Sequence, residues 1–283
     1  MTFLTKKIDF AVIFTVNQAN PNGDPLNGNR PRQNFEGYGE VSDVAIKRKI
    51  RNRAMDLQQP IFVQPKDKNV DGFKSLRERA NAVEQLVEAE KEKDDVLFAK
   101  VACATWFDVR AFGQLFAFRG GTQKGTGVSV SIRGPVSIHP AFSVEPIHII
   151  STHITKSTNS ETSDRKGADT MGMKHRVERG VYRFFGSINP QLAEKTGFTP
   201  DDAEQFKVLL QSLFENDASS ARPDGSMEVQ KVLWWEHPTK LGTYSSAKVH
   251  RSLQLKEAGN RDEPFELVVE PLEGIELSIY EGM

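Results

Sequence analysis

The sequence predicts an α+β fold in which four strands and two helices follow each other in the order βαββαβ. Runs rich in β-branched residues favour the strands, and apolar residues that recur every three or four positions favour the helices. In chain order the segments are strand 8–17, helix 42–57, strand 142–155, strand 176–188, helix 199–216 and strand 227–236. This is the element order of ferredoxin-like and RRM-type folds. Such sheets often bind RNA, although a fold alone does not establish a function.

The first strand and the loop behind it come at the start of the chain. Segment 8–17 is apolar on both faces, which predicts a central strand. The loop 20–32 contains Gly23 and Gly28, which tolerate positive φ, and Asn and Pro residues that turn the backbone and interrupt regular structure. We expect this loop to offer backbone N–H groups to a phosphate chain.

The helix after this loop is amphipathic and basic. Ser42 is a suitable N-cap, and the apolar residues Ile46, Ile50, Ala54 and Leu57 fall on one arc of the helix. The remaining arc carries five cations, Lys47, Arg48, Lys49, Arg51 and Arg53. Because no acid stands between the first and the last of them, their mutual repulsion favours a phosphate-binding surface over a merely solvated face.

The later elements carry more local signals. Thr199 as N-cap and Pro200 in the first turn predict the start of the second helix. The segment 73–93 is predicted as one surface helix, with an apolar stripe of Leu76, Ala80, Val83 and Val87. Of the pair Trp234 and Trp235, one is expected in the core and the other exposed.

Composition limits the classes of protein. The chain has 283 residues, 38% of them apolar and 27% charged, so a packed core is expected. Its net charge of −1 excludes a globally basic protein, so any phosphate site must be a local patch. A single cysteine, Cys103, forms no disulfide within the chain and fits a reducing cytosol. No signal peptide or membrane span is recognisable, and we expect a soluble, cytoplasmic protein with no membrane partner.

Two polar segments interrupt the predicted strands. Segment 119–127 is glycine-rich and carries Arg119 and Lys124, but it lacks the helix that a Walker A loop requires, which argues against nucleotide hydrolysis. Segment 156–175 is polar and basic, which predicts a mobile insertion. An insertion of this length between two strands indicates a function, because an idle hairpin would use a short turn.

These observations together predict an RNA-binding surface made of three groups of residues. The loop supplies Asn20, Asn22, Gly23, Arg30 and Arg32, and the helix supplies its five cations. The polar segments and the following strand supply Arg119, Lys124, Lys156, Arg165, Lys166, Lys174, His175 and Arg176.

Catalysis has less support. The six histidines are scattered without the spacing of a known metal site, and no nucleophile motif is present. Asp24 is the exception, because a loop carboxylate beside a basic helix could bind Mg²⁺ or activate a ribose 2′-hydroxyl, which would make the protein a metal-dependent ribonuclease. The competing interpretation of Asp24 is a residue that caps its own turn. A small-molecule enzyme on a ferredoxin-like scaffold has no supporting motif.

Five segments in combination resemble the Cas-seven family. They are NPNGDP at 20–25, SDVAIKRKIR at 42–51, DVRAFG at 108–113, RGPV at 133–136 and FSVEPI at 142–147. The branch that they resemble is the backbone subunit of the type I-C CRISPR Cascade surveillance complex. Beyond residue 190 the resemblance fades.

The resemblance implies an RRM-like palm with two insertions, called the fingers and the thumb. Mapped onto this sequence, the palm is 1–59 and 134–237, the fingers are 60–133, the thumb is 156–175, and 238–283 is a C-terminal extension. Copies of such a subunit stack head to tail along one CRISPR RNA and splay out a base at regular intervals, while the guide pairs with a target DNA strand.

The resemblance also implies further partners and a division of labour. The expected partners are other Cascade subunits, of the Cas-five, Cas-eight and small-subunit types, and a recruited helicase-nuclease that does the cutting. The subunit itself is expected to be non-catalytic and to need no cofactor. Related type III subunits cleave RNA with a loop aspartate, which keeps a ribonuclease that uses Asp24 as the alternative.

Overall fold

The computed structural model describes residues 3–118, 128–155, 171–258 and 264–283. The helices are α1 Asp43–Asp56, α2 Leu76–Asn81, α3 Glu84–Glu92, α4 Asp95–Thr105, α5 Phe107–Phe112, α6 Pro190–Thr196, α7 Pro200–Gln211 and α8 Ser246–Arg251. The first strands are β1 Ile8–Ala19, β2 Gly23–Asp24, β3 Arg30–Pro31, β4 Tyr38–Val41, β5 Gly113–Phe118, β6 Val128–Arg133 and β7 Val136–Ile138. The later strands are β8 Ala141–Pro146, β9 Ile149–Thr155, β10 Met171–Ile188, β11 Met227–Glu236, β12 Leu253–Glu257, β13 Phe265–Val269 and β14 Glu276–Glu281.

A large antiparallel sheet confirms the predicted α+β class. Its strands run in the order β14-β11-β1-β10-β8-β4, and β7 and β9 also pair with β10. The long strand β1 lies at the centre, with Ile8 opposite Ile188 on one side and opposite Glu236 on the other. As the apolar pattern predicts, both of its faces are buried.

One face of the sheet is covered by α1 and α7. Phe10 and Phe14 of β1 lie in the same core cluster as Ile50 of α1 and Phe206 of α7. The rings of Phe10 and Phe206 meet edge to face at 5.6 Å, a favourable arrangement for aromatic pairs. Both predicted helices therefore pack with their apolar faces against the sheet.

The opposite face is covered by the C-terminal segment. Ile13 of β1 and Trp235 of β11 pack against Val249 of α8 and Leu253 of β12. This face therefore offers no open sheet platform for RNA where those elements lie. Trp234 and Trp235 are 1% and 2% exposed, so the expectation of one exposed tryptophan is wrong, because β11 is covered on both faces.

The segment between α1 and β7 has a hydrophobic core of its own. It contains Phe62, Phe98, Trp106 and Phe116, with the rings of Phe62 and Trp106 4.6 Å apart. Cys103 is buried in this cluster, and burial raises the pKa of its thiol to about 11. The cysteine is a packed apolar residue, as its neighbours in the sequence suggest.

Several predicted boundaries need correction. The helix expected over 73–93 breaks at Ala82 and Val83 into α2 and α3, and the break lets Leu86 face the core. Leu57 lies beyond the end of α1 and is 42% exposed, off the packed arc.

Three further boundaries differ in the second half of the chain. The strand expected over 142–155 is two strands, β8 and β9, which pair with different parts of β10. β10 begins at Met171, so residues 171–175 belong to a strand and not to a mobile insertion. The mobility expected for the rest of that insertion falls on 156–170, outside the described residues. The helix expected over 199–216 ends at Gln211, and α6 precedes it.

The described helices are too short or too polar to span a lipid bilayer.

Candidate nucleic-acid interface

The loop after β1 is a tight hairpin that satisfies its own backbone. β2 pairs with β3, so that Asp24 lies opposite Arg30. The N–H of Leu26 donates to the Asp24 side chain at 3.2 Å, and the N–H of Asn29 donates to the Asp24 carbonyl at 2.8 Å. At Gly23 a Cβ would lie 2.1 Å from Asn29 Oδ1, so any larger residue would displace the Asn29 side chain. These N–H groups are bonded within the hairpin, so the expectation that the loop offers them to a ligand is wrong for this part of it.

The two predicted asparagines hold the loop in place. Asn22 Oδ1 accepts the backbone N–H of Ser42 at 3.0 Å, which joins the loop to the N-terminus of α1. Asn20 is buried and donates to the carbonyl of Asn29 at 2.7 Å. Its Oδ1 is buried without a hydrogen-bond partner among the described residues, which is costly unless a ligand or water supplies a donor.

Two cations of α1 point into the protein. Lys49 is buried and paired with Asp217, and its ammonium lies 5.5 Å from the ring of Phe214. Burial lowers the pKa of Lys49 to about 8, although Asp217 favours the charged form. Arg51 donates to Asp108 at 2.8 Å, beneath the second core cluster. Both side chains therefore bond to carboxylates of this chain, with Lys49 buried and Arg51 13% exposed, and their binding to RNA stays a prediction.

The other three cations of α1 also have internal partners. Lys47 pairs with Asp43 at 3.1 Å, one helical turn earlier, and remains partly exposed. Arg48 donates to the carbonyl of Val63 at 2.7 Å, and Arg53 donates to Ser212 Oγ at 2.9 Å. Four of the five cations therefore bond to other segments of the chain, which offsets part of the mutual repulsion that suggested a phosphate surface.

A different basic surface forms where the loop meets the β9–β10 hairpin. Arg30 Nη1 donates to Ser151 Oγ at 3.3 Å, and Ser151 Oγ lies 2.8 Å from His175 Nδ1. Ser151 and His175 are opposite each other in the β9–β10 pairing. Burial, together with the charge of Arg30, lowers the pKa of His175. We call Arg30, Ser151 and His175 the loop–hairpin triad.

Two further cations lie on the other face of the same hairpin. Lys174 and Arg176 flank His175 in β10, so their side chains point to the opposite face of the hairpin. Lys174 is exposed. The Nε of Arg176 is buried without a hydrogen-bond partner among the described residues, a donor that an anion could satisfy. Arg32 makes a long contact of 3.5 Å with Asp24 and stays partly exposed.

Asp24 is the N-cap of a short turn, as the simpler interpretation of this residue predicts. Its Oδ1 accepts from the N–H of Leu26 and also faces Arg32. Over the ranges that the structure describes, no three His, Cys, Asp or Glu residues cluster as a metal site would require. The contacts of Asp24 are those of a turn-capping residue.

Part of the predicted site cannot be placed. Arg119, Lys124, Lys156, Arg165 and Lys166 lie outside the described residues.

Sequence reasoning missed the partners that organise the basic residues. Asp108 accepts from the N–H of Phe62 at 2.7 Å as well as from Arg51, and Arg110 forms two hydrogen bonds with Asp202 at 2.9 and 2.8 Å. Asp108 and Arg110 lie in the motif at 108–113, so the sequence did draw attention to them. Nothing in the sequence indicated that Ser151 contacts Arg30, which is 121 residues away.

Comparison with known proteins assigns the chain to a family. A family model described as CRISPR-associated protein Cas7 matches residues 6–269, and the chain belongs to this family. A CRISPR-associated protein Cas7 from Haloferax volcanii is 24% identical over 233 residues, covering 78% of this chain and 67% of that protein.

Two solved chains resemble this chain in structure. One belongs to a CRISPR RNA-guided surveillance complex, pre-nicking, with a TM-score of 0.46, 13% identity and coverage of 81% of this chain and 78% of that one. The other belongs to a CRISPR RNA-guided surveillance complex, with a TM-score of 0.44, 17% identity and coverage of 81% and 68%. The family assignment rests on the sequence match.

Proposed function

We propose that this chain is a non-catalytic backbone subunit of a type I, and specifically type I-C, Cascade complex. It binds CRISPR RNA, associates head to tail with copies of itself, and supports pairing of the guide with target DNA in antiviral defence. Membership of the Cas7 family supports this proposal. The partners would be the other Cascade subunits and a recruited helicase-nuclease.

The order of the strands in the sheet supports the proposed RRM-like palm. β11 lies beside β1, β1 beside β10 and β10 beside β8, all antiparallel, with α1 and α7 on one face. This is the arrangement expected of a βαββαβ palm. The separate core around Phe62 supports the interpretation of the segment before β7 as fingers.

The loop–hairpin triad is the observation that carries the RNA site. Arg30 comes from the loop and His175 from β10, and both meet at Ser151 of β9. One cation of the loop, Arg30, is thereby held against the β9–β10 hairpin, and Lys174 and Arg176 lie on the other face of that hairpin. Contacts to the phosphate backbone suit a guide whose sequence varies, because they do not depend on the bases.

The site is tested by salt-dependent RNA binding. Arg30→Ala and Lys174→Ala should weaken binding to unrelated single-stranded RNAs equally and reduce the salt slope by about 1 each, because each removes one phosphate contact. Lys240→Ala is the control, since this exposed cation lies near Lys7, at the other end of β1. Equal effects of all three substitutions would contradict the site.

The same RNA tests the catalytic alternative. After incubation with Mg²⁺ the RNA should remain intact with the wild-type protein and with Asp24→Ala. Shortening of the RNA by the wild type, abolished in Asp24→Ala, would instead establish the ribonuclease.

A further inference from the structure

Phe35 stands fully exposed at the tip of a hairpin, with a relative exposure of 112%. The hairpin is a short ladder in which Glu40 N–H donates to the carbonyl of Arg32 and Asn34 N–H donates to the carbonyl of Tyr38, both at 2.9 Å. Between these pairs, Gln33 bridges Gly39. Phe35 is therefore the first residue of a three-residue turn.

The turn is internally fixed. Asn34 Oδ1 accepts from the N–H groups of Glu36 and Tyr38 at 3.0 Å each, and the Gly37 carbonyl accepts from Ile147 N–H at 2.9 Å. Gly37 has a φ of +86°, a conformation that favours glycine. The exposure of the ring is thus built into an ordered turn, and an exposed phenyl ring in such a place gains by finding an apolar partner.

Two arginines stand close to the ring along the chain, and the adjacent Glu36 is exposed on the same turn. Arg32 is three residues away on the same ladder, so the two Cα atoms are at most about 11 Å apart. Arg30 lies on the same stretch of chain and reaches the loop–hairpin triad. An aromatic ring beside arginines is the combination that binds single-stranded nucleic acid, with the ring on a base and the cations on phosphates.

We propose that Phe35 stacks on an unpaired base of bound RNA while Arg30 and Arg32 hold adjoining phosphates. This inference rests on the proposed function and adds a base-contacting residue to it. Every base has a π-face, so such a contact tolerates any guide sequence.

Leu26 offers a matched control. It stands at the tip of the neighbouring hairpin with 98% exposure, but it has no aromatic face. If any exposed apolar side chain sufficed, substitution of Leu26 and of Phe35 would affect RNA binding alike. If the ring stacks on a base, only substitution of Phe35 weakens binding.

The test measures binding of a labelled single-stranded RNA by purified full-length variants with unchanged melting temperatures. Phe35→Ala and Phe35→Leu should both weaken binding by roughly 5- to 150-fold, and Leu26→Ala should not. Phe35→Trp should bind at least as well as the wild type, and RNA should quench its fluorescence. Its indole would be exposed, whereas Trp106, Trp234 and Trp235 are buried.

Two outcomes would overturn the inference. Wild-type affinity in Phe35→Leu would show that apolar bulk suffices and that the ring does not stack. Normal RNA binding in Phe35→Ala combined with reduced self-association would assign the ring to a protein contact. Failure of the proposed function is distinguishable, because the wild type itself would then not bind RNA.

Discussion

At the scale of single residues, burial decides what a charge can do. Lys49 lies in the basic run of α1, yet it is 5% exposed and paired with Asp217. Reversing the charges of Lys47, Lys49 and Arg51 together would therefore not test RNA binding cleanly. It would break two buried ion pairs, which costs about 3–5 kcal/mol for each pair that loses one partner.

Lys49 should make stability depend on pH. Its pKa is about 8 in the folded protein and ordinarily about 10.4, so between these values the unfolded chain binds more protons and stability rises with pH. Relative to Lys49→Met, the free energy of unfolding of the wild type should increase by about 2 kcal/mol from pH 8 to pH 10. Urea unfolding at the two pH values measures this. Parallel pH profiles for the two proteins would contradict a lowered pKa.

At the scale of elements, α8 is joined to the sheet through His250, whose Nε2 lies 3.2 Å from the carbonyl oxygen of Gly186 in β10. Asp9 of β1 accepts from Lys7 at 3.1 Å and lies 2.8 Å from His237 Nε2. His237 Nδ1 accepts the N–H of Thr243, so the ring carries its proton on Nε2 and donates it to Asp9. His250 of α8 lies 3.8 Å from Asp9 Oδ1 and contacts the rings of Phe185 and His139.

His250 should weaken the attachment of α8 in acid. Burial is the main cause that lowers the pKa of His250. The nearby His139 and Lys7 lower this pKa further, whereas Asp9 raises it. The neutral ring therefore contributes stability that is complete above pH 6.5, its ordinary pKa, and is lost as the pH falls through the folded pKa. From pH 7.5 to pH 5.5, His250→Gln should lose less stability than the wild type in urea unfolding. A steeper loss in the variant would reverse this assignment.

The elements also show what the sequence can reveal. β1, α1, α7 and β11 were predictable, because each has a local apolar period and, in the helices, a capping residue that the structure confirms. The break between α2 and α3 was not, since it depends on which residues meet the core around Phe62. The loop–hairpin triad was half predictable. Arg30 and His175 stand out as polar residues, but Ser151 joins them only through the pairing of β9 with β10.

At the scale of the whole molecule, the C-terminal segment is part of the core. Ala11, Ile13, Val181 and Leu233 are completely buried in the cluster that α8 and β12 cover. A chain that ends at residue 238 should expose these side chains and aggregate, because a large apolar patch would face water. Sedimentation and binding of a hydrophobic dye measure this outcome. A soluble monomer that binds no dye would contradict it.

The attachment of the segment between α1 and β7 has a wider consequence. That segment has its own core, and two ion pairs of α5, Arg51–Asp108 and Arg110–Asp202, join it to the helices of the sheet. Ile61, Phe107 and Ala111 of the same segment also pack in the core of the sheet. The surface of the segment can therefore change over evolutionary time without repacking the sheet, provided that the short helix carrying these anchors is kept. A modular attachment of this kind lets one scaffold acquire new partners by exchanging a single insertion.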